Sequence, residues 1–458
     1  MQFSKDSKIC IVGAGSSGIA ACKNLIQCGF ENITVYEQSD KVGGNWVYTK
    51  DVKHSSVYET THIITSKHHS NYLDFPMPAH YPDYPSHWLM AEYFENYARE
   101  FGVWDKVKFN TTVKNVFKTE DGKWQVEIED AKQNTQTNIT GSPASQSFPT
   151  KEVFEEAVFD VLIISNGHHW NPRYPNYPGK FEGELVHSHY FKNNKPFEGK
   201  RVLVIGAGNS GCDAAVEVCR LAKKTAISMR RGYHFIPKFV FGQPADVIAN
   251  KFQWVPDFAL DLVYGFVLRL ENGDITKWGL QKPNHGVRQS HPVSNSELLY
   301  YIRHGEIAAK PDIEKFEGKT VFFKDGTNEE FDTIICATGF KVTFPFFDKN
   351  LINYEDSDVR LYKRVFHPDH HNLMFVGLIQ ASGCFWKLAD FQSRLLANYI
   401  AGNLKLPVDM NNEIEKELKT NRDGFTKSAR HLIEVDYFKY SADVIKHVPS
   451  NAPEWNKK

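Results

Sequence analysis

The chain has 458 residues, 41% hydrophobic and 24% charged, with a formal net charge of −1. That balance belongs to a soluble globular protein of roughly two or three domains, and the near-neutral charge gives no footing for nucleic acid. No apolar run approaches the ~20 residues of a membrane span, the first strand-like run begins at Lys8 with no room for a secretory signal, and Ala452–Lys458 is polar, so a cytoplasmic protein without an anchor is expected.

Lys8 to Val12 reads as a strand, Gly13-Ala14-Gly15-Ser16-Ser17-Gly18 as a tight turn, and the apolar spacing from Ile19 onward as a helix. Strand, glycine turn and helix in that order form a dinucleotide-binding fingerprint. Gly13 permits the turn, Gly15 the approach of a pyrophosphate and Gly18 close packing of helix on strand, while the unpaired N–H groups of the first helical turn hold phosphate. A second strand, Asn32 to Tyr36, ends at Glu37, whose carboxylate suits a ribose 2′-hydroxyl and repels a 2′-phosphate.

Lys41 to Tyr48 places Gly43 and Gly44 before Asn45 and Trp46, which suits backbone passing close to a flat ring or an ordinary loop with a buried Trp. Residues 50–87 are rich in His, Tyr and Pro without periodicity and are expected to wrap a ligand. The spacing predicts a helix over 87–101 and strands over 106–116 and 124–128. The polar stretch 131–150 reads as an exposed hairpin loop; its Asn138 sequon, and that at Asn110, match by chance in a cytoplasmic protein. Phe159 to Ser165 reads as a buried strand.

Residues 200–211 repeat the opening device: strand Val202 to Ile205, then Gly206-Ala207-Gly208-Asn209-Ser210-Gly211, then a helix from Cys212 to about Leu221. The strand Thr225 to Met229 ends in Arg230 and Arg231, whose guanidinium groups suit the 2′-phosphate of NADP. Asp213 reads as a first-turn acid of this helix. Further on come helical segments near 257–270 and 294–304, strands 320–323, 331–336 and 373–379, and a helix from about Phe391 to Tyr399. The late strand is expected to return to the first unit, making the second an insertion. Gln380 is a candidate cofactor contact. Seven cysteines form no CxxC pair, and the spacing of the His68, His168 and His367 clusters fits no standard metal site, so no metal is expected.

Between the two fingerprints lies Phe181-x-Gly183-x-x-x-His187-x-x-x-Phe191. This arrangement resembles the flavin-containing monooxygenase family, whose identifying pattern occupies the same place. Gly43 to Trp46, Asp74-Phe75-Pro76-Met77-Pro78, Ala337 to Phe340 with Phe344 to Phe346, and Gln392-x-Arg394 are similar to further stretches of that family, in order, from residue 8 to about 400. The resemblance implies an α/β fold of two Rossmann-like domains, an NADPH domain (166–335) inserted into an FAD domain (1–165 and 336–458). It implies FAD at Gly13, Ala14, Gly15, Ser16, Ser17, Gly18, Glu37, Gly44, Asn45, Trp46 and Thr65. NADPH is implied at Gly206, Gly208, Asn209, Ser210, Gly211, Arg230 and Arg231.

The implied reaction uses NADPH and dioxygen to form a C4a-hydroperoxyflavin, which oxygenates a soft nucleophile, an amine nitrogen or a sulfide sulfur. No catalytic side chain is assigned, because the flavin carries the chemistry, and His187 is expected to fix the link between domains. Ile64 departs from the family, which commonly has Asn there; Thr65 or Ser66 substitutes, or the intermediate leaks peroxide, or the reaction differs. The alternatives are Baeyer–Villiger oxygenation of ketones, against which Phe191 in place of Trp weighs, and an uncoupled NADPH oxidase. A two-nucleotide disulfide or ferredoxin-type reductase lacks its dithiol. A small-molecule substrate and a homodimer are the expected partners.

Overall fold

Two parallel sheets, each centred on a glycine strand, organise the computed structural model, which describes residues 3–50, 54–130, 155–252, 255, 257–287, 293–355, 359–381, 383–424 and 433–449. The first sheet runs Leu373–Phe375, Val161–Ile164, Ile9–Val12, Ile33–Tyr36, Val107–Lys108, all parallel. The second runs Ile307–Lys310, Lys224–Ser228, Arg201–Ile205, Thr333–Cys336, Glu184–His187, also all parallel. Each is a Rossmann-like arrangement, and every strand of the second lies between Ile164 and Leu373 of the first in sequence. Parallel strands covered on both faces need continuous apolar runs; ICIV, VLII and TIIC are fully buried accordingly.

The helix after the first glycine turn spans Ser16–Gln27 and stops at Gly29, which has φ +81 and donates its N–H to Ile26 O. Its apolar residues Ile19, Cys22 and Leu25 join one core with Leu388, Leu395 and Leu396 of the helix Phe385–Ile400. The second glycine helix, Asn209–Cys219, packs in its own core with Val202, Val204, Leu298 and Ile302. Both helices begin three residues earlier than the apolar spacing indicates, because the glycine turn already supplies the first helical turn.

The run expected as one strand over 106–116 is broken. Val107–Lys108 completes the first sheet, Asn110 takes a left-handed φ of 55, and Thr111–Lys118 enters a separate antiparallel sheet with Trp124–Asp130 and Glu155–Phe159. Phe159 therefore ends that sheet rather than opening the buried strand. The expected hairpin loop at 131–150 lies outside the described residues. The strand Ile307–Lys310 and the helix Ala245–Lys251 carry no periodic signal in the sequence and emerge only in the structure.

The chain crosses between the sheets twice, and the crossings lie side by side. Pro172 and Phe340 form an antiparallel bridge, Arg173 N–H donates to Gly339 O at 2.9 Å and Lys341 N–H to Asn171 O at 2.9 Å.

Candidate functional site

The two glycine turns are near copies. Gly13 has φ +98 and Gly206 φ +99, values that favour glycine. A Cβ on Gly18 would stand 1.9 Å from Gly13 O, and one on Gly211 1.9 Å from Gly206 O. Helix and strand thus touch backbone to backbone in both units, with the helix N-terminus at the carboxyl end of the central strand, where such sheets bind nucleotides.

The wall beside the first turn is equally tight. Gly43 N–H donates to Ala14 O at 3.0 Å, and a Cβ on Gly44 (φ +55) would lie 2.9 Å from Gly15 Cα. Trp46 stands edge-on to Trp386, ring centroids 5.8 Å apart. Beneath the helix the Asp74 motif braces rather than binds. Lys23 Nζ lies 2.6 Å from Asp74 and 3.2 Å from Asp390, all three fully buried, and Tyr72 donates its hydroxyl to Ser16 O. Among the described residues of 50–87, those lining the cavity fall within 54–65.

Glu37 is buried. Its Oε2 accepts from Ala14 N–H at 2.8 Å and Oε1 from Ser39 N–H at 2.9 Å. Burial pushes its carboxyl upward, and those N–H bonds act against the shift. An ionised carboxylate offers about four acceptor sites, so capacity remains for a ribose hydroxyl. At the equivalent end of the second unit, Arg230 is exposed and the Arg231 guanidinium lies 5.5 Å from the Tyr233 ring centre.

One cavity of about 1450 Å³ joins both turns. Gly13, Gly15, Ser16, Ser17, Glu37, Gly44, Asn45, Trp46, Ile64 and Thr65 line it from the first unit. Gly206, Gly208, Asn209, Ser210, Gly211, Arg230 and Arg231 line it from the second. Typical small-ligand sites measure roughly 300–1,000 Å³, so this one has room for more than one ligand. Gln380 also lines it. Ala14 and Gly18 stand behind the wall, serving the turn through Glu37 and Gly13.

Ser66 is fully buried off the cavity, its hydroxyl without a partner among the described residues and its N–H given to Asp246 at 2.6 Å, so it does not substitute for an amide at the wall. Thr65 shares its hydroxyl with Ser70 at 2.5 Å. Phe181, Gly183 and His187 lie off the cavity and Phe191 on it. His187 is buried, with Nε2 3.0 Å from Gly339 O at the crossing and Nδ1 accepting from His189 N–H; burial lowers its pKa to about 4. Gln392 serves the fold, accepting from Gly377 N–H at 2.8 Å and donating to Tyr440.

Asp213 is no first-turn acid. It sits in the second turn, half-buried on the cavity wall, bonded to Asn295 Nδ2 at 2.6 Å and in contact with the Tyr58 hydroxyl, and desolvation raises its pKa against those interactions. Nothing local in the sequence marks Tyr58 or Asn295 as members of this cluster. No group of three or more metal-ligating side chains occurs among the described residues.

The profile of the flavin-binding monooxygenase-like family matches residues 6–454. The chain belongs to the flavin-containing monooxygenase family. Flavin-containing monooxygenase 5 of Rattus norvegicus is 33% identical over 451 residues, 94% of this chain and 80% of that protein. Flavin-containing monooxygenase 3 of Oryctolagus cuniculus is 31% identical, covering 96% and 82%. The fold is shared with S-allyl-L-cysteine S-oxygenase from Allium sativum (TM-score 0.72, 23% identity, 98% and 89% covered). It is shared also with cyclohexanone monooxygenase from Rhodococcus sp. Phi1 bound to NADP+ (TM-score 0.67, 15%, 96% and 97%). Membership makes the chain an oxidoreductase of a family that uses FAD and NADPH and acts on small molecules with dioxygen. The paired glycine turns, each opening a helix N-terminus onto the same cavity, fit two such dinucleotides. Among the described residues no helix is long and apolar enough to cross a membrane.

Proposed function

We propose that this flavin-containing monooxygenase uses NADPH and dioxygen to insert one oxygen atom into a soft nucleophile, an amine nitrogen or a sulfide sulfur. The observation that carries the reading is the single cavity joining two matched glycine turns, one ending in Glu37 and the other in Arg230 and Arg231. Carboxylate and guanidinium groups at equivalent places select opposite ribose chemistries, so the turns suit FAD at 1–165 and 336–458 and NADPH at 166–335.

Bound FAD supplies the redox chemistry, accepting reducing equivalents from NADPH and activating dioxygen. The chain binds, orients and excludes water. Gly13, Gly15 and Gly18 hold the first turn open to a pyrophosphate, with Ser16 and Ser17 offering helix N–H groups, and Glu37 takes the ribose. Gly206, Gly208, Asn209, Ser210 and Gly211 repeat this for NADPH, with Arg230 and Arg231 on the 2′-phosphate. Gly44, Asn45, Trp46 and Thr65 form the wall, where Trp46 against Trp386 keeps the ring space dry. Ile64 puts an apolar side chain where an amide is common in the family, and the fold shared with cyclohexanone monooxygenase keeps the oxygenation of a ketone as a second reading.

The test is to purify the protein, identify its flavin, and follow NADPH consumption in air with a methyl aryl sulfide, a tertiary amine or a cyclic ketone. Sulfoxide or N-oxide formed in step with NADPH supports the proposal, and a lactone the second reading. Peroxide alone indicates an uncoupled oxidase. A flavin that NADPH fails to bleach without oxygen defeats all three.

A further inference from the structure

The cavity wall over residues 58–65, and Ser66 just behind it, precede the inserted unit in sequence, yet the inserted unit holds them. The Tyr58 hydroxyl faces Asp213, Ile64 O accepts from Ser294 Oγ at 3.3 Å, and Ser66 N–H donates to Asp246. Ser294 and Asn295 in turn read the second glycine helix at adjacent positions. Ser294 N–H donates to Asn209 Oδ1 at 2.8 Å, and Asn295 Nδ2 to Asp213 Oδ1 at 2.6 Å. Asn209 and Asp213, four residues apart, stand on one helix face. Asn209 is the first residue of that helix, among the N–H groups that face a phosphate.

Two hydrogen bonds therefore separate the phosphate-facing end of the second helix from the Ile64 peptide. The Ile64 side chain has no donor or acceptor, so polar restraint at this point runs through its carbonyl. At 3.3 Å the Ser294 contact is longer than the ~2.7–2.8 Å usual for O–H···O. A small shift of the helix or of Ser294 would tighten it.

We propose that Ser294 is a positioning residue that ties the Ile64 peptide to the second glycine helix, so that a nucleotide bound at that helix fixes the cavity wall beside the flavin. This rests on the assignment of NADPH to the second turn. Ser294 touches no reacting atom; it acts through Asn209 on one side and Ile64 on the other.

The test is hydrogen exchange of the Ile63–Ser66 amides in the FAD-loaded enzyme, with and without NADP+, for the wild type, Ser294→Ala and Ser294→Thr. NADP+ should slow exchange in the wild type by about fivefold, the scale of one net hydrogen bond. Ser294→Ala should lose that protection while its NADP+ affinity and melting temperature stay close to wild type. Ser294→Thr, which keeps the hydroxyl and suits a strand, should regain it. In turnover, Ser294→Ala should release a larger share of its NADPH equivalents as peroxide. Equal NADP+-dependent protection in wild type and Ser294→Ala, or none in the wild type despite saturation with NADP+, overturns the proposal. Failure of the wild type to bind NADP+ at all defeats the functional reading with it, and is seen separately in the binding titration. If Ser294→Ala fails to fold, Ser294→Cys, which keeps the size but only a weak donor, takes its place and should show the same loss of protection.

Discussion

Lys23 lies where no solvent reaches, between two carboxylates. Removing one partner of such a buried cluster leaves an uncompensated charge and costs about 3–5 kcal/mol. Lys23→Met, which leaves both carboxylates without the lysine, should therefore lose roughly that much in denaturant unfolding, whereas Lys114, whose bond to Glu129 is partly exposed, should lose under ~1 kcal/mol on substitution. Arg230→Ala with Arg231→Ala should cut the preference for NADPH over NADH by roughly ten- to a hundredfold, the worth of charge-assisted bonds; comparing kcat/KM for the two coenzymes checks it. Glu37 and the arginines could be read from sequence because each follows its strand directly, at a distance that backbone geometry fixes. Tyr58 and Ser294 could not, since their partners Asp213 and Ile64 lie far along the chain and only tertiary packing brings them together. The role expected of Asp213 failed for the same reason: charge near a helix start is common, and burial is invisible locally.

At the scale of elements, the glycine turn joins strand to helix with no spare space. Gly18→Ala would drive a Cβ to 1.9 Å from Gly13 O, and Gly13→Val would meet Ser165 O while forcing a branched residue to φ +98. Both variants should lose bound flavin, read by the visible absorbance of the purified protein, with Gly211→Ala weakening NADP+ binding instead. The order strand, glycine, helix was plain in the sequence. Element boundaries were less so, because the apolar period starts only where a helix begins to bury a face. The helix Phe385–Ile400 starts six residues before the expected Phe391, with Trp386 and Leu388 already in the core. Short strands such as Ile307–Lys310 are defined by neighbours rather than by their own pattern.

Across the whole molecule, burial holds His187, His189 and His367 neutral, each with a pKa lowered to about 4. The unfolded chain takes up these protons near pH 6.5 and the folded chain only near 4. Stability should thus fall as pH drops through that window, because the unfolded state binds more protons. Melting temperatures between pH 7 and 4.5 check this, and His187→Gln with His367→Gln should flatten the slope. The fold class was legible because one chain carried the same fingerprint twice. The joining of two sites in one cavity was not, since it depends on how the sheets face each other.

The paired crossing at Pro172 and Phe340 bears on the order in which the protein folds. The first sheet cannot close until Leu373–Phe375 reaches Val161–Ile164, across roughly two hundred residues of chain whose closure costs entropy. If the inserted unit folds first, its ends meet at the crossing and that long loop becomes a short one. The second sheet is then the template on which the first is completed, although its sequence begins later.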